Sequence, residues 1–301
     1  MLTSLTKEGI EARAKELGAD KIGIVRAEPL NAEAEDLRQW LQSGYHGTMS
    51  WMAKKRDVRD DPGKLLKGCK SIIVIAVNYY TPHLHLRFPN FPRISRYAWG
   101  RDYHEVLRKI LHKLETELDE EARERGIFSA KYRIVVDTAP FRDKVWAQRA
   151  GIGWIGKNSC LITREFGSWV FIGSILTTLE LESTTDKPHE NHCGNCTRCI
   201  KACPTGALVA EGKLDARACL SYLTIEHPGE IPEDFKENMD GWVFGCDTCQ
   251  DVCPWNRFAK NARLTQFDPK PGLQVPDLHL LSHMSIDDYD QLVQGTSLKR
   301  A

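Results

Sequence analysis

The segment CGNCTRCIKACPTGAL places Cys193, Cys196, Cys199 and Cys203 in a C-x2-C-x2-C-x3-C-P run, the spacing that wraps a [4Fe-4S] cluster. Further along, FGCDTCQDVCPWN repeats only C-x2-C-x3-C-P, as Cys246, Cys249 and Cys253, with Val243 where a fourth cysteine would stand. In two-cluster ferredoxins the cysteine before proline crosses to the other cluster. On that rule cluster one takes Cys193, Cys196, Cys199 and Cys253, and cluster two takes Cys203, Cys246 and Cys249. Cys219 lies between the runs and is the expected eighth ligand. Cys69 and Cys160 are expected to be ordinary buried thiols. Zinc held by four thiolates is the rival, but two runs that both end in x3-Cys-Pro are far more specific to [4Fe-4S] clusters. A disulfide scaffold fits poorly, because such scaffolds are short and eight of the ten cysteines here have ligand spacing.

Two clusters make a one-electron wire, and the rest of the chain has to house what the wire serves. At 301 residues and 42% hydrophobic, the sequence suffices for one large domain and a small one. The opening MLTSLTKEGIEARAKELG has no apolar h-region, and no run approaches a membrane span, so a cytoplasmic protein without membrane association is expected. Basic and acidic residues balance at 41 each, yet two windows are locally basic. Residues 54–70 hold seven Lys or Arg against three Asp, and residues 87–109 hold six against Asp102 and Glu105. Each window suits either a solvated face or a phosphate-binding surface.

Before the cysteines, helical and strand patterns alternate. Residues 4–17, 32–42 and 103–126 read as amphipathic helices closed by Gly18, Gly44 and Gly126. Residues 71–80, 132–137 and 169–181 read as strands, with a helix at about 141–150. That alternation argues an α/β or α+β fold with a substantial sheet. Near the C-terminus, SIDDYDQLVQG reads as one short helix with Ser285 as N-cap and Gly295 as stop.

Five stretches together carry a family resemblance: SRYAWGRDYH (95–104), DTAPFRDKVWAQRAGIGWIGKNSCLI (137–162), CGNCTRCIKACPTGAL (193–208), CLSYLTIEHPGEIP (219–232) and GWVFGCDTCQDVCPWN (241–256). They resemble the epoxyqueuosine reductases, which are related to cobalamin-dependent reductive dehalogenases. The resemblance implies an α+β protein with a nitroreductase-like, cobalamin-binding α/β domain over 1–185. A two-[4Fe-4S] ferredoxin-like domain over 186–262 follows, then a tail over 263–301 without HEAT-like repeats. It further implies reductive deoxygenation of epoxyqueuosine to queuosine at the tRNA wobble position, with cobalamin fed by the two clusters. The partners it implies are a tRNA anticodon stem-loop and an external electron donor that the sequence does not name. A monomer is expected.

The resemblance makes Asp137 the proton donor, and the residue stands at the end of YRIVVD, where side chains reach a ligand crevice. Asp-Thr-Ala-Pro before a helix suits an N-cap equally well. Lys157 and Asn158 are expected as polar partners of the corrin, beside Gly151, Gly153 and Gly156, which would let backbone approach it closely. Trp154 fits either the core or a cofactor wall. Ser221, Gly245, Asp247 and Thr248 flank Cys219 and Cys246 and are expected to line the corrin face nearest cluster two. Arg59 and Tyr97 are candidates for corrin or RNA contact. Two rival readings stay open: a plain electron carrier without corrin, and a corrinoid reductase for a small molecule.

Overall fold

Strand β1 (Lys21–Arg26) follows helix α1 (Lys7–Leu17), whose end is set by Gly18 in the left-handed region at φ 118°. After α2 (Asn31–Gln42), α3 (Arg56–Asp60) and α4 (Pro62–Leu65) comes β2 (Ser71–Asn78), in which all eight residues are buried. An unbroken apolar, β-branched run is what a strand covered on both faces requires. Then follow β3 (Arg93–Ile94), the long helix α5 (Tyr103–Glu124), β4 (Tyr132–Val135), α6 (Asp143–Arg149), the β5 (Trp154–Ile155) and β6 (Leu161–Ile162) hairpin, and β7 (Val170–Thr177). The computed structural model describes residues 5–86 and 88–300, so the expected helix start at residue 4 and Arg87 of the second basic window lie outside the described residues.

The main sheet has the order β1-β2-β7-β4, and every neighbouring pair in it is antiparallel. Mixed helix and sheet is therefore realised as α+β, with helices on both faces. On one face, Ile10 and Ala14 of α1 and the Val106, Leu107, Ile110, Leu111, Leu114 and Leu118 stripe of α5 pack on Ile73, Ile75 and Ile175. On the other, Trp146 and Val145 of α6 meet Ile72, Val74, Val135 and Leu176. Strand side chains alternate between these two cores, as the period of two dictates.

The cysteine-rich segment adds α7 (Arg198–Ala202), a hairpin of β8 (Leu208–Ala210) and β9 (Lys213–Leu214), α8 (Leu220–Ile225), α9 (Glu233–Lys236), β10 (Trp242–Phe244) and α10 (Thr248–Asp251). It is stitched into the first part of the chain, because β10 pairs in parallel with β3, setting Trp242 beside Arg93 and Phe244 beside Ile94. The C-terminal segment forms two helices where the sequence suggests one, α11 (Leu278–His283) and α12 (Ile286–Val293), the latter capped by Ser285. Leu273, Val293 and Leu298 close over Ile94, Trp99 and Phe244, and Phe267 enters the α1–α5 core. Among the described residues no helix is long and apolar enough to cross a membrane.

Candidate functional site

All ten cysteines are free thiols, and eight of them gather into two neighbourhoods. Cys199 feels Cys193 and Cys196, and Cys253 feels Cys193 and Cys199. In the second group Cys219 feels Cys203, Cys246 feels Cys219, and Cys249 feels Cys246 and Cys219. The structure thus brings together the two crossed sets, with Cys219 in the second. Burial pushes the Cys246 and Cys253 thiols each up to about 11 and raises Cys219 as well. Sulfurs so placed are poor bare thiolates, and a bound metal that holds them ionised removes the conflict. Among the described residues no three potential ligands converge on one ion position, whereas a cubane cluster takes each thiolate at a separate iron. The donor sets therefore fit [4Fe-4S] clusters.

The two remaining thiols differ. Burial pushes Cys69 up to about 11, and its Sγ lies 3.6 Å from the Ser71 carbonyl oxygen. Cys160 departs from the ordinary buried thiol expected of it, since it hydrogen-bonds Cys249 inside the second group.

Asp137 sits just past β4 at φ 57°, a left-handed conformation uncommon for a residue with a side chain. Its Oδ2 accepts a 2.8 Å hydrogen bond from the Tyr103 hydroxyl. His104 Nε2 stands 3.7 Å from the same oxygen, an ion-pair distance too long for a hydrogen bond. The first turn of α5 makes this possible: Asp102 caps the helix by accepting from the His104 amide at 3.0 Å, and its Oδ1 lies 2.8 Å from His104 Nδ1. Tyr103 is clamped face to face between His104 at 4.0 Å and Phe171 at 4.4 Å. Burial opposes a charge on His104, but Asp102 and Asp137 outweigh it and hold the imidazole up at about 9. A third carboxyl faces Asp137 from α6. Burial of its carboxylate end and the charge of Asp137 push Asp143 up to about 7, although the residue as a whole is partly exposed. Arg59 faces Asp143 in turn. The N-cap reading of Asp137 is not realised, because Arg142 occupies the N-cap of α6 and no side chain caps that helix.

Several buried polar atoms around these residues have no hydrogen-bond partner among the described residues: Arg59 Nε, His104 Nε2, Asp143 Oδ1 and Asn158 Nδ2. A corrin rimmed with carboxamide arms offers donors and acceptors to such atoms, so the residues fit cobalamin.

Other expected contacts fall elsewhere. Lys157 Nζ donates to the Gly194 carbonyl at 2.6 Å and pairs with Glu211 at 2.6 Å, which commits it to the loop of cluster one instead of a corrin. Trp154 is wholly buried with Ile162, Cys193, Cys253 and Trp255, so it walls cluster one. The glycines beside it serve the hairpin: a Cβ on Gly153 would meet the Ile162 carbonyl oxygen at 2.2 Å, and one on Gly156 would meet Ile162 Cδ1 at 2.4 Å. Close approach is real, but it is to β6. Asn158 Oδ1 accepts from the Cys160 amide at 3.2 Å.

Around cluster two, Thr248 Oγ1 lies 3.3 Å from Cys246 Sγ and accepts from Trp242 Nε1 at 3.2 Å. Asp247 is 1% exposed and accepts from the Arg96 amide at 2.8 Å. Gly245 has φ 67° and leaves only 2.2 Å between an added Cβ and Ser95 Oγ. Ser221 is half-buried in the first turn of α8, and a backbone hydrogen bond from it reaches Cys219. Tyr97 links the two parts of the site, with its ring 6.0 Å from Phe244 and 6.4 Å from Tyr103.

Two cations of the second basic window are structural, while Arg101, Arg108 and Lys109 are exposed. Arg93 is 4% exposed and lies 4.5 Å over the Trp242 ring, while Arg96 is 7% exposed and donates to the Thr81 and His83 carbonyls. Reversing Arg96 would therefore test the fold instead of RNA binding. Sequence reasoning alone does not single out Tyr103, His104, Asp102 or Asp143; the available signal is the Asp-Tyr-His triplet opening a helix.

Comparison with known proteins places this geometry. A family model described as "Epoxyqueuosine reductase QueG, DUF1730" matches residues 59–138, and a "4Fe-4S double cluster binding domain" matches residues 192–256. The chain is 45% identical over 301 residues to an epoxyqueuosine reductase of Gloeobacter violaceus, covering 98% of this chain and 91% of that one. It is 42% identical over 295 residues to that of Vibrio cholerae, covering 97% and 78% respectively. A solved epoxyqueuosine reductase with a tRNA-Tyr epoxyqueuosine-modified stem loop superposes with TM-score 0.86 at 33% identity, over 97% of this chain and 76% of that one. The structure from Streptococcus thermophilus gives TM-score 0.84 at 32% identity with the same coverage.

Proposed function

The chain belongs to the epoxyqueuosine reductase family, and from that premise we propose how its own residues remove the epoxide oxygen of epoxyqueuosine at the wobble position of tRNA. The observation that carries the proposal is the convergence of Tyr103, His104 and Asp143 on Asp137, on the side of the molecule that Tyr97 joins to the cluster-two cysteines. Turning an epoxide into an alkene consumes two electrons and two protons and releases water. Clusters pass single electrons, and bound cobalamin supplies a cobalt centre able to gather them. Arg59, Asn158, Tyr97 and the Gly245–Asp247 stretch beside Ser95 would hold it, with the Asp137 turn at its edge.

The chain's residues manage the protons. Asp137 donates to the departing oxygen as general acid. Tyr103 orients the carboxyl through its hydroxyl, and the left-handed turn keeps the carboxyl at the rim instead of in the sheet. His104, held near 9, is an imidazolium at neutral pH and stands ready to return a proton to Asp137 Oδ2; Asp102, accepting from Nδ1–H, fixes the orientation of the ring. Asp143, near 7, is a further protonated reserve on the same face. The nitroreductase-like character of the sheet domain, the cytoplasmic location and the monomeric state belong to the same reading, as do the boundaries at 185 and 262.

Anaerobically reconstituted protein should contain about eight irons and one cobalt per chain and convert an epoxyqueuosine-bearing stem-loop to queuosine. Full iron with no cobalt and no turnover would leave a plain electron carrier; turnover of a small organohalide with none of RNA would leave a small-molecule reductase.

A further inference from the structure

One end of the electron path opens to solvent. A cavity of about 500 Å³ lies over the cluster-one ligand Cys253 and is lined by Arg198, Lys201, Arg257 and Asp251. Arg198 and Lys201 project from the short helix α7, and Arg257 from the turn after Cys253; all three reach solvent. None of them forms an ion pair with a carboxylate among the described residues, whereas Arg13, Lys15, Arg101 and Arg123 elsewhere on the surface do. The exposed ring of Phe258, 5.7 Å from the Arg257 guanidinium, adds an apolar contact at the rim.

We propose that this cationic cavity is the docking port for an acidic one-electron carrier protein, which reduces cluster one through the Cys253 edge. The inference rests on the two-cluster reading above. Unpaired cations around a redox centre steer an acidic partner to it and suit the small, short-lived interfaces of electron transfer. The step is balanced as a single electron: the carrier is oxidised by one, cluster one is reduced by one, and no bond or proton moves.

RNA is the other polyanion to weigh, and the layout argues against it here. The substrate RNA has to reach Asp137, which connects through Tyr103 and Tyr97 to the Phe244–Gly245 stretch before cluster-two ligand Cys246. Cys193 and Cys253 instead pack with Trp154 and Trp255 in a separate core, and the cavity opens there.

The test is anaerobic stopped-flow reduction of oxidised holoenzyme by a reduced acidic flavodoxin, followed by bleaching of cluster absorbance, with dithionite as a small reductant in parallel. In the Arg198→Gln/Lys201→Gln/Arg257→Gln variant the flavodoxin rate should fall at least about tenfold and lose most of its dependence on salt. Iron content, dithionite reduction, stem-loop affinity and turnover of dithionite-reduced enzyme should stay unchanged. If the triple variant assembles poorly, Lys201→Gln alone should still lower the flavodoxin rate and its salt slope. An unchanged flavodoxin rate overturns the port, and so does a matching loss of stem-loop affinity, which would make the cavity an RNA surface. Failure of dithionite-reduced wild-type enzyme to convert the stem-loop would sink the functional reading instead, so the two failures are distinguishable.

Discussion

The two ends of the electron path carry opposite electrostatics. Around Cys253 three solvent-facing cations stand without carboxylate partners among the described residues, and the nearby cavity is open to solvent. Around Asp137 two further carboxyls and an imidazole press on one another at close range, and several of their polar atoms are buried. An entry end needs long-range attraction and rapid release, which surface charge provides and salt weakens. A reacting end needs protons at neutral pH, and burial together with the like charge of Asp137 is what holds the Asp143 carboxyl up at about 7 there.

Cutting the path near the reacting end should separate the two most sharply. Cys219→Ala should lose about half of the iron and drop turnover to background, while the carrier still reduces cluster one at its normal rate. Iron analysis and stopped-flow bleaching on the same sample measure both, and retention of all the iron would remove Cys219 from the ligand set.

A smaller effect is expected from His104→Gln, which removes the ionisable group but keeps a side chain able to hydrogen-bond Asp102. Single-turnover rates should fall by about 10²-fold, the lower end of what a proton-transfer group contributes. Wild-type rates should also decline as pH rises through about 9, where the imidazolium is lost, and the variant should lack that decline. Stability follows the same sign. Because the folded pKa is raised above the ordinary 6.5, the stabilisation from His104 is complete below 6.5 and disappears as pH rises through about 9. Melting temperatures of the two proteins should therefore converge at alkaline pH, and an offset that widens there would contradict the assignment.

The smallest effect belongs to the first basic window. Lys54, Lys55 and Arg56 are exposed and precede Arg59, which faces Asp143. Changing all three to Gln should weaken stem-loop binding and reduce the salt slope by about 0.7 for each phosphate left without its cation. Unchanged binding across salt would make the window a solvated face.

These expectations differ in how far the sequence alone reaches them. Cluster ligands are legible because their spacing is local, and even Cys219 follows from one missing position at Val243. Helices α1, α2 and α5 are legible from their periodicity, and the central strand β2 from its unbroken apolar run. Edge strand β1 is not, since KIGIVR is short and half-exposed, and Lys21 and Arg26 at its ends disguise the apolar middle. Gly153 and Lys157 point to a corrin in the sequence because a glycine records that something comes close, not what; only the β5–β6 pairing and the Glu211 contact identify it. His104 is hidden in the first turn of an amphipathic helix, and its role depends on Asp137, which joins it only when β4 and α5 pack together.

The account turns on Asp137 as the acid. Asp137→Asn keeps the size and the ability to accept from Tyr103 but cannot serve as a carboxylic acid, so anaerobic single-turnover conversion of an epoxyqueuosine stem-loop by pre-reduced enzyme isolates that role. The rate should fall about 10²- to 10⁴-fold, with iron, cobalt and stem-loop affinity unchanged. Near-normal turnover in Asp137→Asn would contradict the account, and a parallel loss of cobalt would make the residue a cofactor contact instead of the acid.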